Sequence, residues 1–304
     1  MKGKSMISAV CISFCGAAML IFSSAQAQNL LVDSYFNGTI IAITPGGVQS
    51  IFASGLVTPE GMAFNSDGDL FVAEFRAANG NYGTIVKITP SGVQSIFATG
   101  LNSPISLAFN STGDLFVNSY SSGTIVKITP GGVQSTFASG LYYPQGMAFN
   151  STGDLFVTSS SSIYKFTPDG VRSTFASGLQ FPYGVAINSA DHVFEADDFA
   201  LTIDEFTPSG ERTTVGSRLF NVYNCLAVDS ADNLFAGEWG TGGGYDGSIV
   251  KITPGGVQST FASGLYSPTA LAFQVESTPE PSGLMLLVSG ISGLLIYRRR
   301  NLAV

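Results

Sequence analysis

The side chains in this sequence that could do chemistry together are acids and amides that interrupt a repeated pattern. Six copies of a Pro-x-Gly-like segment align Glu60, Ile105, Gln145, Tyr183, Asn224 and Thr269 at one position. The segment that follows aligns Ser34, Glu74, Ser119, Ser159, Asp197 and Glu238 at another. Glu60, Glu74, Asp197 and Glu238 supply carboxylates, and Gln145 and Asn224 supply amides. Such oxygen-only donors suit a hard cation such as Ca²⁺, or a polar ligand. Other chemistry is sparse. The sole histidine, His192, aligns with a turn aspartate on the face opposite the acids, so a Ser-His-Asp hydrolase would lack a base beside its nucleophile. One His, with Cys225 the only cysteine beyond the first 27 residues, argues against the usual zinc sites. Gly240-Thr241-Gly242-Gly243-Gly244 lacks the helix and Lys that follow a phosphate-cradling loop. Trp239, beside it, could stack on a sugar or a peptide, or form a lid over the glycines.

What must position these residues is the repeat. Thr-Pro pairs fall at Thr44, Thr89, Thr129, Thr167, Thr207 and Thr253, spaced by 45, 40, 38, 40 and 46 residues. A period of that length, broken into four short strand-like runs, is the signature of a β-propeller. In the third copy the runs are Ile105–Asn110, Leu115–Val117, Thr124–Thr129 and Val133–Ala138, here termed strands A to D. Asn110-Ser111-Thr112-Gly113-Asp114 turns A into B, and Thr129-Pro130-Gly131-Gly132 turns C into D. Strand D alternates, so Phe52, Phe97, Phe137, Phe175 and Phe261 are expected to pack blade against blade.

The ends of the repeat array predict how it closes. It opens on a B strand at Leu30-Leu31-Val32 and finishes on an A strand at Thr269–Phe273. A C-terminal A strand would therefore complete the first blade, hiding both edges of an open array. The expected fold is all-β: a six-bladed propeller with four-stranded antiparallel blades, spanning 28–275. With A strands lining the channel, the Pro-x-Gly positions and the B-strand ends meet at one mouth. The long B–C loops Arg76–Asn81 and Trp239–Asp246 flank it on either side of the first blade. The site expected there comprises Glu60, Glu74, Arg76, Gln145, Asp197, Asn224, Glu238 and Trp239.

Segments such as Pro144-Gln145-Gly146-Met147-Ala148-Phe149-Asn150-Ser151-Thr152-Gly153-Asp154-Leu155-Phe156-Val157 resemble the repeats of NHL-type and regucalcin-type six-bladed propellers. The resemblance runs through all six copies. Regucalcin-type lactonases use a Glu/Asn/Asp metal set at this mouth. The resemblance therefore implies a metal role for Glu60, within Thr58-Pro59-Glu60-Gly61, and for Asn224. The aspartate has no counterpart in the A-strand ring, where Ile105, Tyr183 and Thr269 stand, and Asp197 is the candidate to replace it from a B strand. Two functional classes follow: a non-catalytic binding propeller for a peptide, glycan or protein, or a metal-dependent lactonase or esterase. A purely structural matrix protein is a third reading.

Both ends carry addresses. Lys2 and Lys4, the apolar run Met6–Phe22 and Ala25-Gln26-Ala27 predict a signal peptide over 1–27. Pro279-Glu280-Pro281, the apolar stretch Ser282–Tyr297 and Arg298-Arg299-Arg300 resemble a PEP-CTERM sorting tail over 276–304. That resemblance implies processing by an exosortase-type enzyme, transient membrane anchoring and delivery to the cell surface or matrix of a bacterium. Setting aside the five basic and two acidic residues in these ends leaves 8 Lys+Arg against 19 Asp+Glu, a net of about −11. So acidic a surface excludes nucleic acid as a partner.

Overall fold

The computed structural model describes residues 28–76, 82–240 and 246–274. The expected signal peptide, the tail with Pro279-Glu280-Pro281, and most of both long B–C loops lie outside the described residues. Every regular element among the described residues is a β-strand. The chain opens with β1 (Leu30–Ser34), β2 (Thr39–Ile43) and β3 (Gln49–Ser54). Four complete blades follow. They are β4 (Pro59–Phe64), β5 (Leu70–Glu74), β6 (Gly83–Ile88) and β7 (Gln94–Leu101); then β8 (Pro104–Phe109), β9 (Leu115–Ser119), β10 (Thr124–Ile128) and β11 (Gln134–Ala138). Next come β12 (Pro144–Phe149), β13 (Leu155–Ser159), β14 (Ser162–Phe166) and β15 (Arg172–Ser177), and β16 (Pro182–Ile187), β17 (Val193–Asp197), β18 (Thr202–Phe206) and β19 (Arg212–Ser217). The sixth blade is β20 (Leu226–Val228), β21 (Leu234–Glu238), β22 (Gly247–Ile252) and β23 (Gln258–Leu265), and β24 (Leu271–Phe273) ends the array.

The split repeat closes the ring as its ends predict. β24 pairs antiparallel with β1, with Leu30 opposite Phe273 and Val32 opposite Leu271. The first blade therefore has the order β24-β1-β2-β3, and each of the six sheets has four strands. The innermost strands β24, β4, β8, β12, β16 and β20 touch in succession around the axis.

The closure has a lock that sequence reading missed. The buried Asp33 carboxylate accepts the Thr269 and Ala270 N–H groups at 2.8 and 2.7 Å and the Thr269 hydroxyl at 2.7 Å. Its place in the B strand is held elsewhere by Ala73, Asn118, Thr158, Ala196 and Gly237. The substitution is visible in the sequence; its purpose needs the closed ring.

The apolar core is distributed rather than central. Each of six clusters fills the junction between two neighbouring blades, as where Phe71 and Ile85 meet Leu115, Val117 and Ile128. The repeated phenylalanines pack there as expected. Phe97 and Phe109 both meet Phe71 edge-on, at 4.9 and 5.0 Å, and Phe137 and Phe149 meet Phe116 likewise at 4.9 and 5.0 Å. Edge-to-face rings of this kind each add about 1 kcal/mol beyond the area they bury.

The glycine of Pro-x-Gly is a close-approach residue. A Cβ on Gly61 would stand 2.6 Å from the Ile105 carbonyl oxygen, and one on Gly146 2.6 Å from that of Tyr183. Neighbouring A strands thus crowd together at the axis. The sixth blade solves the same problem in reverse: it carries the buried Cys225 at this place and Gly237 opposite, where a Cβ would stand 2.1 Å from the Cys225 sulfur.

Candidate functional site

Side chains reach the mouth through β-bulges. Pro59 pairs with Glu74 and Gly61 with Ala73, so Glu60 is the extra residue between them. Ile105 is skipped in the same way between Pro104 and Ser106. The irregularity recurs between Pro144 and Met147, around Gln145, and between Pro182 and Val185, around Tyr183. A bulge leaves its extra residue out of the ladder and re-aims the side chain, here toward the axis.

The result is a mouth cavity of about 220 Å³ lined by Glu60, Gln145, Asn224 and Thr269 together with Tyr35, Tyr223 and Trp239. A second cavity of about 280 Å³ continues down the axis between the A strands, past Met62, Leu107, Met147 and Leu271, and shares Asn224 with the first. Glu60, Gln145, Asn224 and Trp239 thus come together as the repeat alignment anticipates. Tyr35 and Tyr223 were not anticipated. Tyr35 directly follows a B strand, where Phe75, Tyr120 and Trp239 also stand, so an aromatic at that place was readable in the sequence.

The cavity is polar in an unusual way. Burial, aided by the nearby Asp33 carboxylate, pushes the Glu60 carboxyl up to about 8. It is therefore mostly protonated at neutral pH, a donor as well as an acceptor. Burial likewise pushes Asp33 up to about 7 against its Thr269 and Ala270 donors. Burial, then the charge of Glu60, raises the Tyr35 phenol. Two buried polar atoms of this cavity wall have no partner among the described residues: the Asn224 Oδ1 and the Trp239 Nε1. An unpaired buried polar atom costs about 1–3 kcal/mol, so both are places for a ligand or water to bond. Trp239 lies against Tyr223 at 4.8 Å and Phe36 at 5.9 Å between ring centres, so its indole is wedged in the wall.

The other anticipated acids serve the backbone. Glu74 accepts the Val57 N–H at 2.7 Å and the Thr84 hydroxyl at 2.6 Å. Asp197 accepts the Gln180 and Ala200 N–H groups, each at 3.0 Å. Glu238 accepts the Phe220 N–H at 3.0 Å and the Ser248 hydroxyl at 2.9 Å. Ser159 accepts the Tyr142 N–H at 3.0 Å from the same place in its blade. The end of each of these B strands pins the chain that arrives from the preceding blade. These three acids stand outside the cavity wall. Arg76 does too; its guanidinium lies 5.7 Å from the Phe75 ring centre.

Catalytic and metal chemistry can be tested on this geometry. His192 Nδ1 lies 2.6 Å from Glu205 on the opposite face. The pair occupies the place of the Asp69–Lys87, Asp114–Lys127 and Asp154–Lys165 bridges, with the acidic and basic strands exchanged. The histidine is thus a hydrogen-bond partner of Glu205 at a repeat position, on the face away from the mouth. Among the described residues no three His, Cys, Asp or Glu side chains gather as metal ligands. With Asp197 tied to two N–H groups, Glu60 is the one carboxylate in the cavity wall among the described residues. That donor set does not fit Ca²⁺, whose six to eight oxygens usually include several carboxylates.

No protein-family model matches the sequence, and no curated protein matches it. Solved structures of similar shape exist at low identity. A chain of a nidogen/laminin complex superposes with a TM-score of 0.70 at 17% identity, covering 82% of this chain and 98% of that one. Virginiamycin B lyase from Staphylococcus aureus gives 0.59 at 18% identity, covering 80% and 87%. A chain provisionally assigned as a gluconolactonase gives 0.58 at 15%, covering 72% and 86%. At these identities the likeness is one of fold: a six-bladed β-propeller whose neighbours include binding and enzymatic proteins.

Proposed function

We propose that this protein is an exported, non-catalytic binding propeller that takes a polar ligand in the mouth cavity. The observation that carries the reading is the cavity wall itself. Glu60, its carboxyl pushed up to about 8 by burial, stands there with an Asn224 Oδ1 and a Trp239 Nε1 that lack partners among the described residues. Such a wall recognises by hydrogen bonds and an aromatic face. The terminal segments support delivery to a bacterial surface or matrix, with an exosortase-type enzyme and the membrane as partners of the tail.

Trp239 is the sole tryptophan of the chain, so its fluorescence reports on this cavity alone. Titration with a library of short peptides and oligosaccharides should shift its emission for at least one member. Asn224→Ala and Glu60→Gln should each remove that shift. No shift across the library, or equal binding by both variants, would refute the reading. The competing class, a metal-dependent lactonase, rests on Glu60 and Asn224 sharing one cavity. It predicts that Ca²⁺ or Zn²⁺ raises the melting temperature, that Glu60→Gln abolishes this, and that lactones are hydrolysed.

A further inference from the structure

Beside the mouth cavity, and sharing Gln145 with it, a groove of about 330 Å³ opens across the third, fourth and fifth blades. Its walls are aromatic. Tyr120 stacks on Tyr143 with ring centres 4.8 Å apart and planes 28° apart, and Tyr142 meets Tyr143 at 4.4 Å. Tyr142, Tyr143 and Phe181 are 65%, 46% and 56% exposed, so their rings face solvent rather than a core. Hydroxyls of Ser160 and Ser161, amides of Gln145 and Gln180, and the rings of Pro182 and Tyr183 complete the lining. Among the described residues no Asp, Glu, Lys, Arg or His takes part in it.

One of these rings is held at a conformational cost. The residue before the A-strand proline is left-handed in four connections: Thr58, Ser103, Tyr143 and Ser267, at φ 46°, 54°, 47° and 46°. Three of the four are small hydroxyl residues. The β-branched Thr58 and the bulky Tyr143 are outliers there, and Ser160, whose N–H donates to the Tyr142 carbonyl at 3.1 Å, is left-handed too at φ 56°. A large ring carried on a strained turn at the rim of a groove marks a place held for function.

We infer that this groove is a second ligand site, built for a neutral carbohydrate. Flat exposed rings match the C–H faces of a pyranose. Ser hydroxyls and Gln amides each donate and accept, as sugar hydroxyls do. A charged ligand would find no counter-charge on these walls and would lose its hydration. A proline-rich peptide also docks on aromatic grooves, but it presents carbonyls without proline N–H groups and would leave the accepting half of this lining unused. The site does not depend on the central cavity and stands if that one fails.

The test is a glycan array of neutral, acidic and amino oligosaccharides, probed with the purified chain, followed by calorimetric titration of any hit. A neutral oligosaccharide should bind. Tyr143→Ser, which installs the residue used at Ser103 and Ser267, should weaken it by about tenfold or more while the melting temperature holds or rises. Tyr142→Ser, at an exposed ring, should weaken it independently of the turn. Asn224→Ala, in the central cavity, should leave this affinity unchanged, separating the two sites. The inference is overturned if no neutral glycan binds, if acidic glycans or a proline-rich peptide bind instead, or if both tyrosine variants bind like the parent.

Discussion

Glu195 offers the sharpest test of the packing argument. Val32, Val72, Val117, Val157 and Ala236 fill its place in the other five blades. Here a fully buried carboxyl stands at the junction of the fourth and fifth blades, with neither oxygen bonded. The nearest cation is already engaged: Arg212 donates to Asp204 through Nε at 3.0 Å and Nη2 at 2.5 Å. Burial, then Asp197 and Asp204, push Glu195 up from 4.5 to about 8, with Arg212 pulling the other way. A folded pKa above the unfolded one means that the native state binds the extra proton. Stability from this group is full below pH 4.5 and is lost as pH rises through 8. Between pH 5 and 8 the loss is about 3.5 kcal/mol, at up to ~1.4 kcal/mol per pH unit. Glu195→Val and Glu195→Gln should both abolish that slope. Urea unfolding of parent and variants at pH 5, 6, 7 and 8 measures it. Asp33 and Glu60 titrate in the same window but in every protein alike, so they cancel in the difference. The advantage of each variant should grow by about 3.5 kcal/mol across the series. An advantage that stays constant from pH 5 to 8 would show that Glu195 is ionised and compensated throughout, and the reasoning would fail.

Substitutions at three further places probe the frame. Asp33→Ala strands the Thr269 and Ala270 N–H groups inside the closed ring and should cost about 3 kcal/mol or more; a lower melting temperature with faster proteolysis near β24 is expected, and unchanged values would remove Asp33 as the lock. Gly237→Ala drives a Cβ into the Cys225 sulfur and should cost about 1–3 kcal/mol. The double change Cys225→Gly with Gly237→Thr copies the Gly146/Thr158 pairing, in which the Gly146 N–H donates to Thr158 Oγ1 at 2.8 Å, and should recover most of the loss caused by Gly237→Thr alone in a double-mutant cycle. His192→Asp alone would oppose Glu205 with a second carboxylate and should lower stability; adding Glu205→Lys should return it to within about 0.5 kcal/mol of the parent, as expected for a half-exposed pair.

Much of the fold was legible because its determinants are local and repeated six times. Turn residues, the period-2 pattern and the Thr-Pro spacing each recur, and the misplaced first A strand leaves ring closure as the simplest way to finish the count. The mouth was legible in part, by the same alignment: Glu60, Gln145, Asn224 and Trp239 stand where the repeat departs from itself, and they meet in one cavity. The departures at Glu74, Asp197 and Glu238 look identical in sequence, yet their carboxylates hold incoming backbone. A spelling change marks a position as special without saying what the side chain faces.

Composition and periodicity, being properties of neighbours along the chain, therefore determined the blade, the number of blades and the face on which unusual residues collect. Which of those residues are free to meet a ligand was decided only by tertiary structure. The choice depends on bulges that turn Glu60 out of its ladder, on backbone N–H groups arriving from the preceding blade, and on burial that pushes the Glu60 carboxyl up. These are distances between residues tens to hundreds of positions apart, and only the closed ring sets them.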